Sequence, residues 1–305
     1  MRLRIGTRKS ALALRQAETV RASFLALAGL DPAEVVLVPF SSRGDDSAAP
    51  IAALGTKGAF TESLERALAA NEIDVAVHSL KDLPVEPRPG LAIAAVLERE
   101  DPCDVHVSRD GSPLAALPPG ARVGTGSPRR RAHLLSLRGD LVPVDLRGNV
   151  DTRLDRARRG DPPSVILAAA GLNRLGLFDG ARMERLPLET WLPAPGQAAI
   201  AVQARASDGP IAAAAAAIDH PPTRRAVESE RAALAGLGGG CLLPFGAHAS
   251  GAPGGGLVLR AALYGGGAGD LRIAVEVRGP AGDAAALGRE AAVRLLESAP
   301  WAARP

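Results

Sequence analysis

One short pattern occurs twice in this chain and restricts its architecture more than any other feature. Arg4-Ile5-Gly6-Thr7 and Arg122-Val123-Gly124-Thr125 each end an apolar run on Gly-Thr. Each then leads through a polar turn to a serine, Ser10 or Ser127, that opens a helical stretch. Glycine lets a strand approach its neighbours closely, and a serine at such a turn accepts a hydrogen bond from the first helical amides. Pro128, directly after Ser127, suits the first helical position, where no N–H is needed. Each copy reads as a strand running straight into a helix. Around the first copy the pattern predicts strands at 2–5, 35–39, 73–78 and 91–97, with helices at 10–27 and 61–70. Around the second it predicts strands at 105–108, 122–124, 141–146 and 164–169, with helices at 128–137 and 149–159. Such alternation predicts α/β sheets with parallel strands. A last unit after His220-Pro221-Pro222 has a helix at 223–235, alternating strands at 257–263 and 271–278, and a closing helix at 282–298, which predicts a small α+β domain with an antiparallel sheet.

Composition removes several function classes. A chain of 305 residues suits two or three domains. The longest apolar run, Ile211 to Ile218, falls far short of a bilayer span, and no apolar signal segment follows Met1-Arg2-Leu3-Arg4-Ile5. Cys103 and Cys241 alone make no disulfide framework, so the chain is expected to be cytoplasmic. Aromatic residues are 3%, too few for platforms that stack bases, and neither zinc-ligand spacing nor an RNA-binding aromatic motif is present. Nucleic acid, membrane and metal are therefore not expected partners. Of the 36 basic residues only Lys9, Lys57 and Lys81 are lysines, so arginine counts alone say little. A retained lysine marks a place where a compact ammonium is wanted.

The charges gather at strand ends. Arg8 and Lys9 flank the first turn and Arg129, Arg130 and Arg131 follow the second, while Arg147, Arg153 and Arg174 come after later predicted strands. In open α/β sheets ligands bind at the C-terminal strand ends, and helix N-termini there hold anions. Guanidinium forks match carboxylates, which predicts a polycarboxylate in a cleft lined by both turns. Taken singly, each serine is also explained by simple capping and each arginine by a solvated surface charge.

Two residues stand apart from this cationic setting. Asp82, in His78-Ser79-Leu80-Lys81-Asp82-Leu83-Pro84, emerges with Lys81 at the end of a buried strand. Nearby cations keep such a carboxylate ionised, able to accept a ligand N–H or steady a cation, although an ordinary ion pair or turn cap is equally consistent. Cys241 follows Gly238-Gly239-Gly240, a stretch with nothing to shield its thiol, and an exposed free thiol is a liability unless it is used. Cys103 and His78 read as structural, and neither His220 nor His248 has a motif that would make Cys241 a protease nucleophile.

Taken together, these residues resemble the porphobilinogen deaminase family. The resemblance is carried by Arg8-Lys9-Ser10, Ser42-Arg43-Gly44-Asp45, Lys57-Gly58-Ala59-Phe60 and Val77 to Pro84. It continues through Arg99-Glu100-Asp101-Pro102, Gly124-Thr125 to Arg129-Arg130, Leu146-Arg147-Gly148-Asn149 with Arg153, and Ala170-Gly171-Leu172 with Arg174. Pro195-Gly196-Gln197, Glu230-Arg231 and Gly239-Gly240-Cys241 with Pro244 and Gly246 complete it, in order along nearly the whole chain. Gly126, Pro128, Ala198 and Gly238, the last in place of a common Glu, depart from the family pattern, and none of them removes a charged group of the proposed site.

The resemblance implies two lobes like those of periplasmic binding proteins around a cleft, plus a small α+β C-terminal domain. The domains would be 1–98 with 198–218, 103–193, and 221–305. It implies a dipyrromethane cofactor bound by thioether to Cys241 and held by Ser10, Lys81, Asp82, Thr125, Ser127, Arg129, Arg130, Arg147 and Gln197. Porphobilinogen would be bound by Arg8, Ser10, Arg147, Arg153 and Arg174. Four molecules would be condensed on the primer with loss of ammonia, and the product hydroxymethylbilane released by hydrolysis, in tetrapyrrole and haem biosynthesis. Asp82 would be the catalytic residue, stabilising the azafulvene cation that deamination leaves. The enzyme is expected to be a monomer. Two rival readings stay open at this point, a non-catalytic bilobed polycarboxylate binder and a family member that binds the primer without polymerising.

Overall fold

The computed structural model describes residues 2–41, 61–239, 243–265 and 272–298. Along the chain these form β1 (Leu3–Arg8), α1 (Ala11–Leu27), β2 (Val35–Phe40), α2 (Glu62–Ala69), β3 (Val75–Ser79), β4 (Leu91–Val96), β5 (Asp104–Ser108), β6 (Arg122–Gly124), α3 (Pro128–Leu137) and β7 (Val142–Val144). There follow α4 (Val150–Arg159), β8 (Ser164–Ala168), α5 (Ala169–Arg174), β9 (Met183–Arg185), β10 (Ile200–Arg205), α6 (Gly209–Ala216), α7 (Pro221–Gly236), β11 (Phe245–Gly251), β12 (Gly256–Tyr264), β13 (Arg272–Pro280) and α8 (Ala284–Ser298). They fall into two compact units, Met1–Glu100 with Gly196–Arg224, and Asp101–Pro195 with Arg225–Pro305.

The first unit holds a five-stranded sheet of order β2-β1-β3-β10-β4. β1 runs parallel to β2 and β3, whereas β10 runs antiparallel to β3 and β4. The parallel pairing read from the sequence holds for β1, β2 and β3, and the returning strand β10 makes the sheet mixed. The reason lies in where the chain enters. β10 starts beside Ser79, at the edge where its neighbours end, and can only run back. Leu3, Ile5, Val75, Val77, Ile200 and Val202 bury one face of the sheet against Ala17, Val20 and Phe24 of α1 and against Ile211 and Ala215 of α6. Leu64, Ala67 and Leu68 of α2 cover Ile73, Ala76 and Leu91 on the other. The glycine of the first Gly-Thr pair is dictated by this packing, since a Cβ on Gly6 would lie 2.3 Å from Cδ1 of Ile73.

The second unit repeats the plan in a sheet of order β7-β6-β8-β5-β9, again with one reversed strand, β5. Gly124 answers to Gly6 here, since a Cβ on it would meet Leu146 and Pro162, each at 2.8 Å. Residues 225–298 of the same unit add a three-stranded antiparallel sheet, β11-β12-β13, whose Leu259, Ala261 and Leu263 pack with Ala233 of α7 and Leu287, Ala291 and Leu295 of α8. Its first strand, β11, was not anticipated from the sequence. The seam between the two sheets of this unit is aromatic. His133 of α3 stacks on Trp191 at 4.1 Å and on Tyr264 at 4.3 Å, while the Ala247 amide donates to Pro193 O at 2.9 Å.

Candidate functional site

In the first unit the C-terminal edge of the sheet collects the polar residues. Arg8 ends β1, and Ser10 caps α1 by accepting from the Ala13 amide at 3.4 Å. β3 ends at Ser79, whose hydroxyl accepts from Nε2 of Gln16 on α1 at 2.9 Å. The chain then makes a single 3-10 turn, Leu80–Asp82, that leaves Asp82 exposed and Lys81 half-buried. Nζ of Lys81 donates to Oε1 of Gln197 at 3.4 Å, and Gln197 is buried just ahead of the reversed strand β10. The turn around Gln197 is tight. Gly196 has φ +71° and faces Leu80, and Ala198 has φ +72°, a left-handed conformation that non-glycine residues seldom adopt. Arg99, which the sequence reading left without a role, ties the same place together. Its Nε donates to Gln197 O at 2.8 Å and its amide to Oγ1 of Thr223 at 3.0 Å. This edge thus brings together Arg8, Ser10, Lys81, Asp82 and Gln197. His78 stays structural, because burial, reinforced by the charge of Arg8, holds its pKa down at about 4.

In the second unit the corresponding edge carries Thr125, Ser127, Arg129, Arg130, Arg147, Arg153 and Arg174. Ser127 caps α3, accepting from the Arg130 amide at 3.4 Å, and Thr125 Oγ1 accepts from the Ser127 amide at 3.2 Å. Arg147 lies 3.5 Å from Asp145 in the turn before α4, Arg153 sits on the first turns of α4 with Nε 3.4 Å from Asn149 O, and Arg174 ends α5. Arg129 and Arg130 turn inward from this edge. Both side chains are buried, and both are paired with Asp104. The physical reason is Asp104 itself, a carboxylate that opens the buried strand β5 and would be untenable there without cations. The guanidiniums hold its pKa far below the usual carboxylate range despite burial. The sequence signal for this was an aspartate opening an apolar strand, and the sequence reading passed over it.

Cys103 follows its structural reading. Burial, then a hydrogen bond with Asp101 and the charges of Asp101 and Asp104, push its thiol up to about 12, so it carries almost no thiolate near neutrality. Cys241 lies outside the described residues, as do the Ser42-Arg43-Gly44-Asp45 and Lys57-Gly58-Ala59-Phe60 motifs. Among the described residues no helix is long and apolar enough to cross a membrane, and no cluster of His, Cys, Asp and Glu could hold a metal ion.

Mixed five-stranded sheets, each presenting cations and helix N-termini at the C-terminal edge, together with a small antiparallel domain, define an α/β protein fitted to an acidic ligand. The chain belongs to the porphobilinogen deaminase family. Residues 3–213 match the family's dipyromethane cofactor binding domain, and residues 224–297 match its C-terminal domain. A porphobilinogen deaminase from Leifsonia xyli subsp. xyli is 49% identical over 251 residues, 81% of this chain and 75% of that protein. One from Xanthomonas euvesicatoria pv. vesicatoria is 47% identical over 298 residues, 97% of this chain and 96% of that protein. Among solved structures, the second substrate binding domain of a putative amino acid ABC transporter from Streptococcus pneumoniae aligns with a TM-score of 0.45 at 8% identity, over 72% of this chain and 92% of that one.

The donors present fit the group that this family's first domain binds. A dipyrromethane carries several carboxylates. The second unit offers the capped N-terminus of α3, the Thr125 hydroxyl, and buried Nε atoms on Arg129 and Arg130 that have no hydrogen-bond partner among the described residues. Unpartnered buried N–H groups beside a helix N-terminus are the chemistry a polyacid satisfies.

Proposed function

We propose that the chain joins four porphobilinogen molecules head to tail, with loss of one ammonia each, and then releases the linear tetrapyrrole by hydrolysis. The family match across residues 3–213 and 224–297 carries this reading. When bound through a thioether at Cys241, the dipyrromethane supplies the pyrrole carbon to which the first unit is joined. We assign Ser10, Lys81, Asp82, Thr125, Ser127, Arg129, Arg130, Arg147 and Gln197 to holding it.

Arg8, Ser10, Arg147, Arg153 and Arg174 are assigned to the acetate and propionate groups of incoming porphobilinogen, which guanidinium forks orient through paired N–H donors. Asp82 is assigned the charge that develops on the substrate. As the aminomethyl C–N bond breaks, ammonia leaves with the electron pair, and the methylene carbon and its ring become positive. The carboxylate accepts the pyrrole N–H and steadies that charge as it forms, an electrostatic role of the kind that usually dominates catalysis. Its exposed position at the end of a short, pinned turn supports the assignment. The proposal extends to a monomeric cytoplasmic enzyme without a nucleic-acid partner, organised as domains 1–98 with 198–218, 103–193 and 221–305.

The intact mass of the purified protein, read together with ammonia release from porphobilinogen, tests the proposal. Extra covalent mass equal to two pyrrole units, absent from Cys241→Ala, is expected. A fully active chain with no added mass would end the reading.

A further inference from the structure

Arg129 and Arg130 occupy neighbouring positions on α3, where side chains diverge by about 100°. Their guanidiniums nevertheless meet on one carboxylate. Nη2 of Arg129 donates to Oδ2 of Asp104 at 2.7 Å and Nη2 of Arg130 donates to Oδ1 at 2.6 Å. Asp104 is fully buried, and Nε1 of Trp191 donates to its Oδ2 at 2.8 Å. Each fork is held again at its other terminal nitrogen, Arg129 by Leu192 O at 2.7 Å and Arg130 by Ile166 O at 3.0 Å. Two features set this apart from a simple buried ion pair. Two cations share one anion, which leaves the trio one positive charge in excess. Each guanidinium also keeps a buried Nε with no partner among the described residues. Excess buried charge and orphaned donors are costly unless an anion meets them.

We propose that Asp104 is a positioning residue, which fixes the Arg129 and Arg130 forks side by side at the foot of α3 before an acidic ligand arrives. The inference rests on the family reading above. An arginine without such an anchor gives up its rotamer freedom on binding, whereas an anchored one has lost it already. The anchor also extends toward the third sheet. Leu192, which holds Arg129, packs against Gly246 of β11, and the neighbouring Pro193 takes the Ala247 amide. The carboxylate that aims the forks thus also braces the strand that follows Cys241 in sequence.

The test is Asp104→Asn, nearly the same shape without the charge, expressed as the full chain in cells that make porphobilinogen. Intact mass gives the fraction carrying the covalent dipyrrole, and circular dichroism with a thermal melt shows folding. The loaded fraction is expected to fall about tenfold in protein that still melts cooperatively, and in the loaded remainder kcat is expected to fall about fivefold with KM for porphobilinogen little changed, because the primer rather than the incoming unit is mispositioned. A folded Asp104→Asn protein that loads and turns over like the parent overturns the proposal. Should that variant fail to fold, Trp191→Phe decides, because it keeps the charge and an aromatic ring while removing the N–H that fixes Oδ2. A kcat lowered about threefold at unchanged KM is expected there, and a parental kcat overturns the proposal. A parent chain lacking the covalent mass would instead overturn the proposed cofactor attachment and leave the two failures distinct.

Discussion

Asp82 and Asp104 are both carboxylates at strand ends, yet their surroundings differ. Asp104 is enclosed and bound to cations at both oxygens, whereas Asp82 is exposed at the end of a turn. Removing the charge of Asp82 is therefore expected to leave the fold intact and, on the role proposed above, to remove only what acts on substrate. Asp82→Asn is expected to lower kcat at least about 100-fold while the melting temperature stays near the parent's, measured by ammonia release and thermal melt. The two cysteines separate in the same way. With its thiol pushed up to about 12, Cys103 should resist alkylation at pH 8, and Cys103→Ser should keep activity within about twofold of the parent, checked by peptide mapping and turnover. At this scale the sequence was legible where position along a strand decides exposure, as at Ser10, Lys81 and Asp82. It was silent on the pairing of Arg129 and Arg130 with Asp104. Which way an arginine turns depends on an aspartate 25 residues before the first of them, and only the folded sheet brings the two together.

Among the elements, the strand-to-helix units were the most readable, because an apolar run, Gly-Thr and a capping serine each constrain the backbone locally. The capping bonds of Ser10 and Ser127 and the span of α3 match the sequence reading. β11 was missed because its residues, Phe245 to Gly251, include glycines at 246 and 251 and alternate too weakly to mark a strand. The reversal of β10 was illegible for a different reason. Alternation tells what each element is, but the edge from which a strand enters is set by the route of the chain. α8 offers a stringent test of packing. A Cβ on Gly288 would lie 2.2 Å from the backbone oxygen of Ser229 on α7, which cannot rotate away. Gly288→Ala should destabilise the protein by about 3 kcal/mol, read as a lowered denaturant midpoint.

Over the whole molecule, three buried histidines set a limit in acid. His78 and His106 are held down at about 4 and His133 at about 3, chiefly by burial, from an ordinary value of 6.5. In the unfolded chain they take up protons as the pH falls below 6.5, while in the folded chain they stay neutral until near 4. Across that window the unfolded state binds more protons, so stability falls as pH falls, by up to about 1.4 kcal/mol per pH unit for each histidine. The melting temperature is expected to be level above pH 7 and to drop steadily from pH 6.5 to 4, checked by scanning calorimetry. A flat profile across that range would show that the rings are accessible to protons in the native protein.

The placement of β10 also bears on how the polypeptide is made. Every strand of the second sheet lies between residues 104 and 185, whereas β3 and β4 of the first are joined through a strand at 200–205. A ribosome therefore delivers all the strands of the later sheet before the earlier one can close. The amino-terminal part leaves the exit tunnel with β4 lacking β10, its only strand neighbour among the described residues, and its sheet stays incomplete until residue 205 has been synthesised.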